Sequence, residues 1–230
     1  MLYVGLVLGL AAGDYAANLQ GLNGARVVAA TLLLLVVALI GARLLFVITH
    51  WRLFRDDRRR VWNRAGGGGA MFGGLPPALV VSVPLLAALQ LPLAAYWDIA
   101  TITMLIAVAV ARMGCLLHGC CGGSPSDRWF AIELSDHRGV RCSRIPVQLF
   151  DALLALLILI GVIVFWNQRP FPGAAFLTAT AAYALGRAAL EPTRAEQPRA
   201  GGMRLGRLIA ATLAAAAISG FVNAWLIAGN

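Results

Sequence analysis

The chain has 230 residues, of which 60% are hydrophobic and 13% charged, and its mean hydropathy is +0.79. This composition excludes a water-soluble globular protein, because the chain lacks the polar side chains needed to cover a folded surface. The formal net charge is +9, but the chain has no soluble domain that could serve as a nucleic-acid-binding module. It therefore indicates a membrane setting and excludes nucleic acid as a partner.

Apolar segments follow one another along the chain, each close to the length of about 20 residues that a transmembrane helix needs. In chain order they are Leu2–Leu19, Val27–Ile48, Leu75–Leu93, Ile99–Leu117, Pro146–Trp166, Gly173–Leu190 and Leu208–Leu226. They predict an all-α integral membrane protein with about seven transmembrane helices, built as a single polytopic domain over residues 1–230.

The third span has an unusual beginning. Residues 64–77, RAGGGGAMFGGLPP, contain six glycines and two prolines. Glycine-rich backbone at membrane depth is tolerated where it lines a polar cavity or packs against protein. We therefore predict a broken start to the third helix, and a short loop outside the membrane at residues 118–145.

The loops between the spans fall on two faces of the predicted bundle. Face A holds the amino terminus and residues 49–74, 118–145 and 191–207, and face B holds residues 20–26, 94–98 and 167–172 and the carboxyl terminus. Fourteen arginines lie in the loops of face A and two in those of face B. Because cytoplasmic loops carry an excess of basic residues, this asymmetry predicts that face A is cytoplasmic.

Three arginines, Arg43, Arg112 and Arg187, lie inside predicted spans near their face-A ends. Each costs about 3 kcal/mol or more at the centre of a membrane helix and less near its end, so each requires a partner or a function. Their similar depths favour an anion site, because a guanidinium fork binds phosphate in a bidentate manner. Glu191 lies four residues after Arg187, so a structural ion pair at the end of the sixth span is the alternative.

Residues 112–123, RMGCLLHGCCGG, gather an arginine, a histidine and three cysteines at the end of the fourth span. His118 is the type of side chain best suited to general-base chemistry near neutral pH. We interpret Cys115, Cys120 and Cys121 as small packing residues, with a thiol close to the arginine as a candidate nucleophile. Together with His118 they are also a candidate zinc site, although a paired Cys-x-x-Cys knuckle is missing.

Five segments of the chain occur in a characteristic order. They are GARLLFVITHW at 41–51, FGGLPPA at 72–78, RMGCLLHGCCGG at 112–123 with RWFAIEL at 128–134 behind it, RIPVQLFDALL at 144–154, and AYALGRAALEPTR at 182–194. These segments resemble the prolipoprotein diacylglyceryl transferases, which are integral membrane enzymes that move diacylglycerol from phosphatidylglycerol to a cysteine thiol. The resemblance implies a short strand at 128–134 and a multi-pass protein of the bacterial cytoplasmic (inner) membrane.

The resemblance also implies a site. Arginines would hold the phosphate of phosphatidylglycerol, or of a related anionic phospholipid, while an acceptor thiol displaces glycerol phosphate, without a metal or a cofactor. The residues on family motif positions, expected to bind the lipid, are Arg43, Gly73, Gly74, Arg112, Gly114, Gly123, Gln148, Arg187, Glu191 and Arg194. The expected catalytic group is Arg112, Arg187 and a base.

The base is where the chain departs from the family pattern. Phe72 stands in the place of a family histidine, and Ile145 and Phe150 replace a histidine and a tyrosine of the later segment. We therefore expect His118 to be the substitute base, six residues after Arg112.

The orientation is a second point of conflict, because the family works on exported proteins and its equivalent of face A looks away from the cytoplasm. The charge distribution and the family resemblance agree if the enzyme is repurposed. Such an enzyme keeps the phospholipid donor and takes another acceptor thiol, on a protein or a small molecule. The alternatives are a catalytically inactive lipid-binding paralogue and a membrane protein that senses metal or redox state through its Cys and His residues.

Overall fold

The computed structural model describes residues 1–49, 51, 73–120, 122–135, 141–193 and 202–228. The α-helices in this part of the chain are α1 (Leu2–Leu19), α2 (Gly24–Thr49), α3 (Leu75–Ala88), α4 (Leu93–Leu117), α5 (Val147–Val164), α6 (Ala174–Leu190) and α7 (Gly202–Ala228). The strands are β1 (Ile132–Ser135) and β2 (Arg141–Arg144), and two short 3-10 turns cover Trp166–Gln168 and Glu191–Thr193. The predicted all-α membrane architecture with seven helices is confirmed.

The helices differ in their capacity to cross a membrane. Among the described residues, five helices are long and apolar enough to do so, namely α1, α2, α4, α5 and α7. The other two are shorter, with 14 residues in α3 and 17 in α6. The bilayer core holds no water to bond with the backbone. The apolar segments therefore form helices, in which the backbone N–H and C=O groups bond to one another.

The predicted boundary between the third and fourth spans is wrong. The third span was expected to reach Leu93 and the fourth to begin at Ile99, whereas α3 ends at Ala88 and α4 begins at Leu93. Gln90 adopts a φ of 55°, and the Leu91 amide donates to the Leu86 carbonyl at 2.9 Å. This is a left-handed helix stop. The turn was hidden because its residues are nearly as apolar as the helices beside it.

The described chain forms two compact units. The first comprises Met1–Ala16 and Ala94–Asn230, and the second Ala17–Leu93. The core of the first unit packs three helices, α4, α5 and α6, against one another. Its buried residues are Leu105, Ala109, Ala155, Leu159, Val162, Ala175 and Ala179.

Helix α1 packs on α4 through a glycine stripe, Gly5, Gly9 and Gly13. A Cβ atom at Gly9 would lie 2.6 Å from the Thr103 carbonyl oxygen, and one at Gly5 would lie 3.1 Å from the Ala107 carbonyl oxygen. Small residues at such intervals let the backbones of two membrane helices approach closely, and this contact stabilises the pair.

Asp98 fastens α4 to the beginning of α6. It was expected in a loop of face B, but it lies inside α4 and is fully buried. Its carboxylate contacts Arg169 at 2.7 Å and accepts hydrogen bonds from the amides of Gly173 at 2.8 Å and Phe176 at 3.0 Å. The carboxylate thereby caps the first turn of α6, where backbone amides have no partner within the helix.

The strand predicted at 128–134 is present, but it covers Ile132–Ser135 and forms half of a hairpin. β1 pairs antiparallel with β2, with Ile132 opposite Arg144 and Ser135 opposite Arg141. The Phe130 ring just before β1 lies 6.1 Å from that of Phe150 in α5. This ring contact attaches the hairpin segment to the helix that follows it.

The second unit packs α2 against α3. A Cβ atom at Gly41 of α2 would lie 2.6 Å from the Gly73 carbonyl oxygen. At the other end of this helix pair, Arg26 donates to the Leu89 carbonyl at 3.2 Å and to the Gln90 side chain at 3.3 Å. The glycine contact requires close approach of the two backbones, which a side chain would prevent.

Candidate functional site

Three charged side chains meet inside the first unit, one from each helix of its core. Arg112 of α4 places its Nε atom 3.2 Å from Oδ2 of Asp151 on α5. Arg187 of α6 places its Nη1 atom 3.6 Å from the same oxygen. The Asp151 side chain has no exposed surface, and those of Arg112 and Arg187 are 14% and 8% exposed. The structure therefore brings together two of the three intramembrane arginines, on a single carboxylate oxygen.

Glu191 completes this charged cluster. Its Oε2 atom lies 3.8 Å from Nη2 of Arg187, at the four-residue spacing expected from the sequence. The four groups, Arg112, Arg187, Asp151 and Glu191, carry equal numbers of positive and negative charges. Such balance is required where ions leave water, because an isolated buried charge costs several kcal/mol.

Tyr183 lies one helical turn before Arg187 on α6. Its buried hydroxyl interacts electrostatically with Asp151, Arg112 and Arg187. Of these three contacts, the one with Arg112 is the closest to a hydrogen bond. Tyr183 is therefore part of the charged cluster.

Gln148 lies one turn before Asp151 on the same face of α5. Its side chain is buried, and its Nε2 atom donates to the Cys120 carbonyl at 2.8 Å. This bond ties the beginning of α5 to the segment after α4. Its Oε1 atom is also buried, and within the described part of the chain nothing donates to it.

His118 stands at the exposed end of α4. Gly119 adopts a φ of 70°, and the Cys120 amide donates to the Cys115 carbonyl at 3.1 Å, which is a left-handed stop like that of α3. The His118 side chain is exposed, so the structure places it at the rim of the helix bundle and does not bury it with the charged cluster.

The cysteines show no metal arrangement within the described residues. Cys115 is close enough to Arg112 for an electrostatic interaction, and the described cysteines, Cys115, Cys120 and Cys142, form no disulfide with one another. No group of three His, Cys, Asp or Glu side chains in the described ranges is placed to hold a metal ion. Cys121 lies outside the described residues.

Gly114 and Gly123, which the sequence suggested as points of lipid approach, are in tight contact with protein. A Cβ atom at Gly123 would lie 2.6 Å from the carbonyl oxygens of both Ile145 and Thr193, and one at Gly114 would collide with Met1. The Gly123 amide also donates to the Ile145 carbonyl at 2.9 Å. Packing thus accounts for the lack of a side chain at both positions.

The remaining expected site residues lie elsewhere. Arg43 belongs to the second unit, where its guanidinium lies 5.6 Å from the centre of the Phe46 ring. Gly73 and Gly74 belong to the same unit and pack on α2, since a Cβ atom on either would lie 2.6 Å from an atom of that helix. Phe72 and Arg194 lie outside the described residues.

The positions where the family histidine and tyrosine are replaced hold apolar contacts. Ile145 is buried, and its amide donates to the Ser124 carbonyl at 3.2 Å. Phe150 pairs with the Phe130 ring. Neither side chain has a group that transfers protons.

Sequence reasoning missed Asp151 and Tyr183. Asp151 is the only acidic residue of RIPVQLFDALL, and an ionisable residue inside a membrane span is a candidate functional residue by default. The same rule that selected the arginines would therefore have selected Asp151. Tyr183 also carried a signal, because it lies in AYALGRAALEPTR, four residues before Arg187, in one of the segments on which the family resemblance rests.

A buried, charge-balanced cluster between membrane helices defines this chain as a polytopic membrane protein with a polar site built into its bundle. Comparison with known families specifies the class. The family model described as prolipoprotein diacylglyceryl transferase matches residues 1–223. The chain belongs to the prolipoprotein diacylglyceryl transferase family, and thus to a family of membrane transferases.

Individual relatives are distant but similar over most of their length. The phosphatidylglycerol-prolipoprotein diacylglyceryl transferase of Clostridioides difficile (strain 630) is 23% identical over 205 residues, which cover 89% of this chain and 81% of the relative. The protein of the same name from Finegoldia magna is 23% identical over 219 residues, covering 95% and 86%. That of Clostridium botulinum (strain 657 / Type Ba4) is 23% identical over 211 residues, covering 90% and 84%.

Proposed function

We propose that this protein transfers diacylglycerol from phosphatidylglycerol to a thiol and that Arg112 and Arg187 bind the phosphate of the lipid. One observation carries the proposal: the two guanidinium groups lie within 3.6 Å of one oxygen atom inside the helix bundle. Groups that converge on a carboxylate oxygen can converge on a phosphate oxygen. The names of the relatives supply the donor lipid and the type of transfer.

The chemistry of the step agrees with this arrangement. The thiolate sulfur attacks the glycerol carbon of the diacylglycerol part, a carbon–sulfur bond forms, and the carbon–oxygen bond to the phosphate breaks. The electron pair of that bond stays on the leaving glycerol phosphate, whose negative charge increases. Two fixed guanidinium groups stabilise this charge as it develops, in a site from which water is largely excluded.

A base must take the proton of the thiol. We assign this role to His118, because it follows Arg112 at the end of α4 and its side chain is exposed, which leaves it accessible to a thiol. The buried Gln148 Oε1 atom and the Tyr183 hydroxyl are suited to the hydroxyl groups of the lipid headgroup. Arg43, Gly73, Gly74, Gly114, Gly123 and Arg194 are proposed to contribute to lipid binding through the family motifs alone.

The acceptor is the part of the reaction that we expect to differ from that of the relatives. Ile145 and Phe150 occupy family positions for a histidine and a tyrosine, and they make apolar contacts here. An altered acceptor site favours a thiol other than that of a prolipoprotein, on another protein or on a small molecule. The same observation favours the second candidate, an inactive paralogue that binds the lipid without transferring it.

Arginine-to-lysine variants test the proposed phosphate site. Arg112→Lys and Arg187→Lys keep the charge and lose the bidentate fork, so we expect each to weaken retention of phosphatidylglycerol by about tenfold. The measurement is native mass spectrometry of gently purified protein, together with release of glycerol phosphate in the presence of a thiol. Arg169→Lys, which alters the ion pair with Asp98, is the matched control.

The outcomes separate the candidates. Retention that does not differ among the three variants would remove the phosphate site. Bound phosphatidylglycerol without any release of glycerol phosphate, over a range of protein and small-molecule thiols, would favour the inactive paralogue.

A further inference from the structure

The Asp151 carboxylate lies in the position where the proposed function requires the lipid phosphate. Its Oδ2 atom contacts both Arg112 and Arg187, and its side chain is fully buried. We propose that Asp151 is an internal counter-ion, which holds the two guanidinium groups together in the lipid-free protein and is displaced from at least one of them when the lipid phosphate binds. This inference rests on the proposed function of the two arginines.

Electrostatics explains why such a counter-ion is needed. Two guanidinium groups within 3.6 Å of one point repel each other strongly where water is scarce. Without a shared anion they would separate or draw in water, and each lipid that binds would have to bring the two guanidinium groups together again. A carboxylate fixed on α5 keeps them convergent, which is the preorganisation that binding and catalysis exploit.

The same argument requires displacement. A carboxylate and a phosphate that approached the same nitrogen atoms would carry like charges at short range, and the repulsion would weaken lipid binding. The phosphate therefore replaces the carboxylate at one guanidinium or both, and the carboxylate is a competitor as well as an organiser.

Asp98 shows how a permanent structural carboxylate in this protein differs. It lies 2.7 Å from Arg169 and also receives amide hydrogen bonds from Gly173 and Phe176. The contacts of Asp151 with its arginines are longer, 3.2 and 3.6 Å. Longer contacts are weaker and suit an anion that is exchanged, whereas Asp98 is locked to the backbone of α6.

Neutral variants test the counter-ion. In Asp151→Asn the carboxylate is gone, so the lipid phosphate becomes the anion shared by the two arginines. We expect the variant to be less stable than wild type in neutral detergent, yet to bind phosphatidylglycerol with an apparent affinity about fivefold higher or more. The measurement is the thermal midpoint of the purified protein as phosphatidylglycerol, phosphatidylcholine or inorganic phosphate is titrated in.

Asp98→Asn is the matched control, since it also neutralises a buried, arginine-paired aspartate. It should lose stability without any added response to phosphatidylglycerol. Asp151→Glu keeps the charge and should respond to the lipid as wild type does. Asp151→Ser serves as a second neutral variant in case asparagine packs badly.

Each result decides the matter. The counter-ion is supported if phosphatidylglycerol raises the thermal midpoint of the neutral Asp151 variants more than that of wild type, and does not do so for Asp98→Asn. A response equal to or weaker than that of wild type overturns it, as does failure of both neutral variants to fold in detergent micelles that contain phosphatidylglycerol. An equal response to inorganic phosphate would show that the position takes free phosphate and would overturn the lipid assignment.

The lysine variants keep this proposal distinct from the proposed function. If Arg112→Lys and Arg187→Lys weaken lipid retention while Asp151→Asn weakens it too, the phosphate site stands and only the counter-ion fails. If the lysine variants leave retention unchanged, the phosphate site itself fails.

Discussion

Among the described residues of the first unit, the buried carboxylates Asp98 and Asp151 belong to charged groups of different character. One is the pair of Asp98 and Arg169, in which the carboxylate is also bound to backbone amides. The other is the cluster around Asp151, in which side chains from three helices meet. A buried ion pair adds little net stability, since desolvation offsets most of the attraction. Stability alone therefore does not explain the second group, and we propose a role for it in function.

His118 provides the most direct residue-scale test of catalysis. A thiol of ordinary pKa, about 8.5, is only a few per cent thiolate at neutral pH. A general base commonly contributes about 100-fold or more. We expect His118→Ala to reduce turnover by this factor and to leave lipid retention nearly intact, whereas Arg112→Ala should lose both. Equal turnover of wild type and His118→Ala, measured beside an inactive Arg112→Ala, would place the base elsewhere, with Glu191 and Cys115 next to test.

The site was partly predictable from single residues. Arg112 and Arg187 stood out because arginine is rare inside membrane spans, and the four-residue spacing indicated Glu191 as a carboxylate partner of Arg187. The meeting of both arginines at Asp151 depends on how α4, α5 and α6 pack, which no local pattern specifies. The same holds for Gly123, whose close neighbours Ile145 and Thr193 are distant along the chain.

At the scale of helices, glycine positions control how closely neighbours approach. Gly9 of α1 faces the Thr103 carbonyl of α4, and a Cβ atom there would lie 2.6 Å from it, whereas at Gly161 of α5 a Cβ atom would meet nothing within 4 Å. The two glycines therefore form a matched pair for testing helix packing.

We expect Gly9→Ala to lower the thermal midpoint, because α1 must move away from α4 to relieve the contact. Gly161→Ala should leave the midpoint unchanged or raise it, because alanine favours a helix interior by up to about 1 kcal/mol over glycine. The measurement is thermal unfolding in one detergent for both variants. A midpoint that falls equally in both would show that α1 does not depend on this contact.

The helices themselves were predictable because two effects both favour an apolar helix within a membrane, namely burial of apolar side chains in lipid and hydrogen bonding of the backbone to itself. Hydropathy located every helix of the described residues and failed at the turn between α3 and α4, where Gln90 adopts left-handed backbone within an apolar stretch. Such a stop depends on backbone conformation, and hydropathy does not report it. The first strand of the hairpin, by contrast, was predicted from resemblance to the family, and the second strand was not predicted.

At the scale of the whole molecule, the distribution of arginine sets the expected orientation. The loops of face A carry fourteen arginines and those of face B two, and arginine is retained on the cytoplasmic side during insertion. The relatives are named as prolipoprotein diacylglyceryl transferases. The resemblance to this family implies work on exported proteins, which favours face A on the outer side. The orientation therefore bears directly on which acceptor thiol reaches the site.

Reporters at the two termini decide between these orientations. If all seven helices cross the membrane, the termini lie on opposite sides, and the charge distribution predicts a reporter before Met1 inside the cell and one after Asn230 outside. The measurement uses a reporter pair in which one enzyme is active only in the cytoplasm and the other only after export, fused in turn to each terminus. The reverse arrangement would contradict the charge argument and favour a prolipoprotein as the acceptor. Termini on the same side would show that one helix does not cross, and α3, with 14 residues, is then the first to examine because about 20 are needed.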